Sequence, residues 1–237
     1  MKKIFIFSLI VCFFFFIYNI AIAANTFVTE GFEGPGYENA VCDPNIITSC
    51  WTEYTDGNSF IDSEYECSCN PPESGDYCLR AYSDGNGELA KITWILDEIS
   101  PYNEVSVRVK LIDHNLGNTD QVQIANITTN SGSKLIIVYY YYYNSTMYMA
   151  ARYFDGTGGF GDSDFYEVNE NDWNLVSFQY DSSRLRFKLK INHKTTLKDT
   201  DLDNTWPINA RKLDLGVCYN NGDGSAEVLI SSMEWDD

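Results

Sequence analysis

The chain has 237 residues, with 34 acidic against 16 basic side chains and a formal net charge of −18. A surface of that sign repels phosphate backbones, which argues against nucleic acid as a partner. It suits an exported protein with carboxylates to spare for divalent cations.

The chain opens Met1-Lys2-Lys3, followed by an apolar run over 4–22 that ends Ala21-Ile22-Ala23. A short positive start, an apolar stretch and a small-x-small site predict a cleavable secretion signal over 1–23 and a mature domain over 24–237. The rival reading is an uncleaved membrane anchor. The Ala-x-Ala site lies where a signal peptidase needs it and decides for cleavage, after which no stable membrane insertion is expected. The protein is then secreted, cell-surface or periplasmic, and the Lys2-Lys3 start is of bacterial type. Losing Lys2 and Lys3 takes the formal charge from −18 to −20.

Cleavage also removes Cys12 and leaves Cys42, Cys50, Cys67, Cys69, Cys78 and Cys218. An even set in an exported chain predicts disulfides with open connectivity. Zinc fits poorly, because Cys67-x-Cys69 lacks the two-residue spacer and His114 and His193 are remote from the cysteines. Five of the six lie within 42–78, which predicts a stapled loop region there, with 62–76 a long loop. Cys218 is then expected to reach back across the chain.

From residue 77 onward a period of two dominates, and no segment sustains a helical period. Strands are predicted at 77–83, 90–96, 104–112, 121–128, 134–143, 147–154, 173–181, 184–191, 213–217 and 227–235. Gly-, Asn- and Asp-rich turns separate them. So many short punctuated strands predict one antiparallel all-β sandwich, with no internal repeat and no second domain.

Asp172-Trp173-Asn174-Leu175-Val176-Ser177-Phe178-Gln179-Tyr180-Asp181, then Leu185 through Asn192, resembles the laminin-G-like segment. In that family a Trp opens a strand ending Tyr-Asp, and the next strand ends Asn-Gly. Here His193 replaces the Gly, so that turn is expected to be built differently. Gly31-Phe32-Glu33-Gly34 and Cys50-Trp51-Thr52 resemble the first strand of MAM-like sandwiches. The resemblance implies a concanavalin A-like lectin/glucanase jelly roll, with a galactose-binding-like jelly roll as the alternative. Such sandwiches often hold calcium at a loop rim, which makes calcium the candidate cofactor and Glu33 with Asp236 the candidate ligands, on first and last strands that pair. The Asp84, Asp155 and Asp223 turns are weaker places for it. Asp199 through Asn204 alternates acids like an EF-hand loop but lacks the Gly and the closing Glu.

Glycosidases of this fold aim carboxylates along one strand as Glu-x-Asp-x-Glu. No such triplet occurs; Glu170-Asn171-Asp172 comes nearest and reads as loop charge. No serine elbow or His-x-x-x-His pair occurs either, so the sequence offers no catalytic residues.

Tyr139 to Tyr143 are five tyrosines in a row. If Asn144-Ser145 turns a hairpin, Tyr143 pairs with Thr146, Tyr141 with Tyr148, Tyr139 with Ala150 and Ile137 with Arg152. That register predicts Tyr139, Tyr141, Tyr148 and Arg152 on one exposed face, with Val138, Tyr140, Met149 and Ala151 inward. Aromatic rings stack on sugar C–H faces and Arg binds hydroxyls, so these four are the candidate ligand-binding residues. The bland reading is simple cross-strand pairing. Two functions stay open: an exported, non-catalytic carbohydrate-binding module, and a structural or protein-interaction domain of a surface assembly. A glycoside hydrolase is third.

Overall fold

The computed structural model describes residues 27–29, 52–66, 77–85, 87–95, 102–129, 132–154, 160–181, 186–201 and 210–236. Among them are Phe27–Thr29 (β1), Thr52–Thr55 (β2), Phe60–Glu66 (β3), Tyr77–Ser83 (β4), Ala90–Ile95 (β5) and Tyr102–His114 (β6). Next come Gln121–Thr129 (β7), Lys134–Tyr143 (β8), Thr146–Phe154 (β9), Phe160–Asp162 (β10) and Tyr166–Val168 (β11). Asn174–Asp181 (β12), Arg186–Ile191 (β13), Lys194–Asp201 (β14), Ala210–Asn220 (β15) and Ala226–Asp236 (β16) complete the series. No helix occurs among the described residues, and none is therefore long and apolar enough to cross a membrane.

The strands form two antiparallel sheets. One runs β14-β13-β12-β6-β16-β4-β3, with β1 also on β16; the other runs β10-β9-β8-β7-β15-β5-β2, with β11 also on β9. Alternation supplies the core between them. Val107 and Val109 of β6, Leu189 of β13 and Val228 of β16 meet Ile92 of β5, Val122 of β7, Val138 of β8 and Leu213 of β15 in a single buried cluster. One core shared by two sheets makes a sandwich, and each such side chain contributes about 1.5–3 kcal/mol by leaving water.

The strands expected from residue 77 onward are all present, with ends shifted by a few residues. The expected long loop over 62–76 is corrected in its first part, because β3 runs through Asp62 to Glu66 and pairs with β4. Among the described residues β3 ends its sheet and has one strand neighbour, so it needs no apolar alternation to hold its place, and its polar sequence hid it. β14 likewise takes in Asp199 and Asp201, so the EF-hand-like run begins inside a strand.

The expected pairing of Cys218 is also corrected. Cys218 is a free thiol, buried within β15, and burial pushes its pKa up. Cys78 is buried on β4 and is not a free thiol. Cys42, Cys50, Cys67 and Cys69 lie outside the described residues, as does the leader.

His193 does not change the turn after β13. Asn192 and His193 both take positive φ, 49° and 64°, and Ile191 sits opposite Lys194 as in a two-residue type I′ hairpin. A non-Gly residue pays about 1–2 kcal/mol for that conformation, partly offset by the greater unfolded-state freedom of Gly. His193→Gly is therefore expected to raise stability by up to about 1 kcal/mol, read as a higher urea midpoint at unchanged slope.

Candidate functional site

The site is built on the β8–β9 hairpin. Asn144 and Ser145 take positive φ, 49° and 62°, the type I′ turn whose twist matches paired strands. The Asn144 N–H donates to Asn118 Oδ1 at 2.8 Å, which braces the turn against the loop before β7. The register is the one expected: Tyr143 opposite Thr146, Tyr141 opposite Tyr148, Tyr139 opposite Ala150 and Ile137 opposite Arg152. Val138, Tyr140, Met149 and Ala151 point into the core.

Directly paired residues share a face, so the register can be followed across the sheet. One row on the outer face runs Gln121, Tyr141, Tyr148, Glu167. The next runs Tyr219, Gln123, Tyr139, Ala150. A third runs Thr93, Asp214, Asn126, Ile137, Arg152, Asp162. The structure thus brings all four predicted ligand-binding residues onto one face and adds neighbours from five further strands.

Their exposure differs from expectation. Tyr139 is only 2% exposed, packed in a small second cluster with Ile137 and Ala150 beneath Tyr141 and Phe154. It is a floor, not an exposed ring, because large neighbours on the same face cover it. Tyr141 stacks on Tyr143 (6.0 Å between centroids, planes 8° apart) and meets Phe165 at 5.3 Å. Tyr148 meets Phe165 edge-on at 6.1 Å. Phe165 stands in the break between β10 and β11, where no periodicity announced it.

Arg152 is held in an ion pair. Its Nε and Nη2 donate to the two carboxylate oxygens of Asp162 at 2.7 and 2.9 Å, and its guanidinium lies 4.3 Å from the Phe160 centroid. The bond to Asp162 is the main reason its pKa is raised. At the other end of the face, Asp214 accepts from Thr93 Oγ1 and from Lys91 Nζ, the latter at 2.7 Å. Lys91 also lies 5.8 Å from the exposed Tyr54 ring.

Of the six large hydrophobic side chains that stand exposed among the described residues, five belong to this face: Tyr54, Tyr143, Phe160, Phe165 and Tyr219. Phe60, on β3 of the opposite sheet, is the sixth. Two buried polar atoms on the same face, Tyr139 Oη and Asn126 Oδ1, have no hydrogen-bond partner among the described residues.

Glu33 lies outside the described residues. Asp236 ends β16 opposite Glu104, while β1 pairs with β16 at Phe27–Thr29. Asp84 accepts hydrogen bonds from Asn58 and Tyr82 as an ordinary turn carboxylate. Among the described residues no three His, Cys, Asp or Glu side chains converge. Glu170 is engaged with His114 Nε2 at 3.1 Å, and Asp172 accepts from Asn169, so both loop acids have local partners.

The sequence matches no protein-family model and no curated protein. Solved structures do share its fold. Alginate lyase AlyC3 superposes with a TM-score of 0.53 at 13% identity, over 67% of this chain and 74% of that one. Alginate lyase A1-II′, a member of polysaccharide lyase family 7, gives 0.50 at 14%, over 69% and 81%. Botulinum neurotoxin type C gives 0.53 at 12%, over 79% of this chain and 43% of the toxin chain. The fold shared with these structures is a jelly-roll β-sandwich.

Burial pushes the Tyr139 phenol up to about 12, and nearby Asp162 adds to the effect against Arg152. Its ordinary value is about 10, so the folded protein holds that proton more tightly than the unfolded chain between the two values. Stability is intact below about pH 10 and falls as pH rises towards about 12. Tyr139→Phe is expected to lose less stability than wild type between about pH 9 and pH 11 in urea titrations. At pH 7 it is expected to be neutral or up to about 1 kcal/mol more stable, because an unpaired buried hydroxyl is removed.

Proposed function

We propose that this protein is a carbohydrate-binding module that takes its ligand on the outer face of the sheet carrying β7, β8 and β9. The observation that supports it most is the segregation of exposed aromatic side chains among the described residues, five of six on that face. Soluble proteins scatter single apolar side chains, whereas a rimmed aromatic patch marks a place of contact. A sugar presents both C–H faces and hydroxyls, and this face offers Tyr141, Tyr143, Tyr148 and Phe165 beside Gln121, Gln123 and the Arg152–Asp162 pair.

The similar structures agree in kind. Two are alginate lyases, and botulinum neurotoxin type C depends on interaction with two ganglioside molecules for its uptake into cells. At 12–14% identity they support the fold's suitability for glycans and carry neither a ligand nor a reaction to this chain. Binding is the reading because the residues on the face are stacked rings and mutually satisfied ion pairs.

Arg152 acts here mainly as a brace. Its bidentate bond to Asp162 fixes the edge of the platform, and both groups are about one-third exposed, so the pair itself is worth no more than about 1 kcal/mol. Tyr139 supports the rings from below. Tyr141, Tyr148 and Phe165 are the contact residues.

Tyr141→Ala and Phe165→Ala are each expected to weaken binding to the best glycans of an array by about tenfold, since one lost aromatic contact costs about 0.5–1.5 kcal/mol. Isothermal titration of variants with unchanged circular dichroism reads this out. Wild-type affinity in both variants would reject the face. Absence of any glycan signal, together with a defined protein partner whose binding Phe165→Ala weakens, would favour the interaction-domain reading.

A further inference from the structure

The cations of this face fall into two kinds. Arg152 is clamped by Asp162 and Lys91 by Asp214, so each carries its own counter-charge. Lys134, at the start of β8, has no carboxylate partner among the described residues. Its Nζ donates to the neutral Gln123 Oε1 at 2.9 Å and lies 5.5 Å from the Tyr219 ring centroid. Lys91 and Asp214 lie within electrostatic reach of it. The group Lys91, Asp214 and Lys134 therefore sums to one positive charge, on a chain whose formal charge is −18.

Lys134 is exposed, and its ammonium is held by an amide and a ring with no directly bonded carboxylate among the described residues, so its charge is open to a ligand. An ammonium has three donors, and one is spent on Gln123. The remaining donors stand beside Tyr219, a ring 39% exposed on the glycan face. A carboxylate met there would gain a charge-assisted bond, stronger than one to a hydroxyl. Beside it, the sugar ring that bears the carboxylate would find an aromatic surface.

We infer that Lys134 receives a ligand carboxylate and that the glycan bound by this face carries an acidic sugar seated at Lys134, Gln123 and Tyr219. This rests on the reading of the face as a glycan site and names its ligand class. The overall negative charge limits that class: a long polyanion is repelled by the rest of the surface, so the fit is to a glycan with one acidic residue among neutral ones.

The test uses two matched pairs, 3′-sialyllactose with lactose and a monogalacturonate-capped galacto-oligosaccharide with its carboxyl-reduced form. Affinities for the mature protein are read by isothermal titration. The acidic member of at least one pair is expected to bind about tenfold more tightly, with the preference shrinking at high salt. In Lys134→Gln the acidic-to-neutral ratio is expected to fall to about one, and in Lys134→Arg to persist. Equal binding of acidic and neutral members overturns the Lys134 assignment and leaves the glycan reading standing, as does a preference that survives Lys134→Gln. Binding of neither member of either pair overturns the Lys134 assignment, and the glycan reading falls with it only where the array also gives no signal. The salt series on wild type keeps the test decisive if Lys134→Gln does not fold.

Discussion

The side-chain period of a strand is two, so the register fixed by the Asn144-Ser145 turn decides where every tyrosine from 139 to 143 goes. A slip of one residue would drive Tyr139 and Tyr141 into the core and put Tyr140 and Tyr142 outside. The observed pairing sends Tyr140 into the main core and Tyr139 and Tyr141 to the opposite face. The braced turn, the interior packing of β8 and β9 and the aromatic surface are one consequence of that register. Both faces of β8 are therefore occupied by rings.

That face is organised by charge as well as by rings. Arg152 and Asp162 of one ion pair and Asp214 of the other lie on the same cross-strand row, with Lys91 two residues along β5 from that row. The partly exposed Arg152–Asp162 pair is worth little in itself and Asp214 is buried, but each pair holds a long side chain in one geometry and defines a border. Between them lie Gln123, Tyr139 and Asn126, and across them reaches Lys134. A strongly negative protein thus keeps a locally positive spot on this aromatic face.

Much of the fold was legible. Strict alternation exposed β6 and β13, and the hairpin register was derivable from the Asn144-Ser145 turn alone. What failed was parity across bulges. β7 carries an irregularity between Gln123 and Ala125, and β15 another between Leu215 and Tyr219. The second contains Gly216 at φ 119°, where a Cβ would come within 2.5 Å of the Ala90 carbonyl oxygen. Alternation read through such points assigns faces wrongly, so Tyr219 and Gln123 could not be joined to the site. Phe165 and Phe160 were missed because their strands are three residues long or absent. Tyr139 was placed on the right face with the wrong exposure, since a periodicity gives direction and says nothing about what lies on top. The pairing of Cys218 was argued from an even count, and an even count does not say which thiols meet.

The most direct measurement of the central claim is a nuclear magnetic resonance titration of tyrosine-ring-labelled protein with the strongest glycan from an array. Rings on the two sides of β8 report separately. The account predicts shifts at Tyr141, Tyr143 and Tyr148, with Tyr140 unmoved in the core. Shifts confined to the opposite sheet, at Tyr82 for example, or an unchanged outer face at saturating glycan, would contradict it.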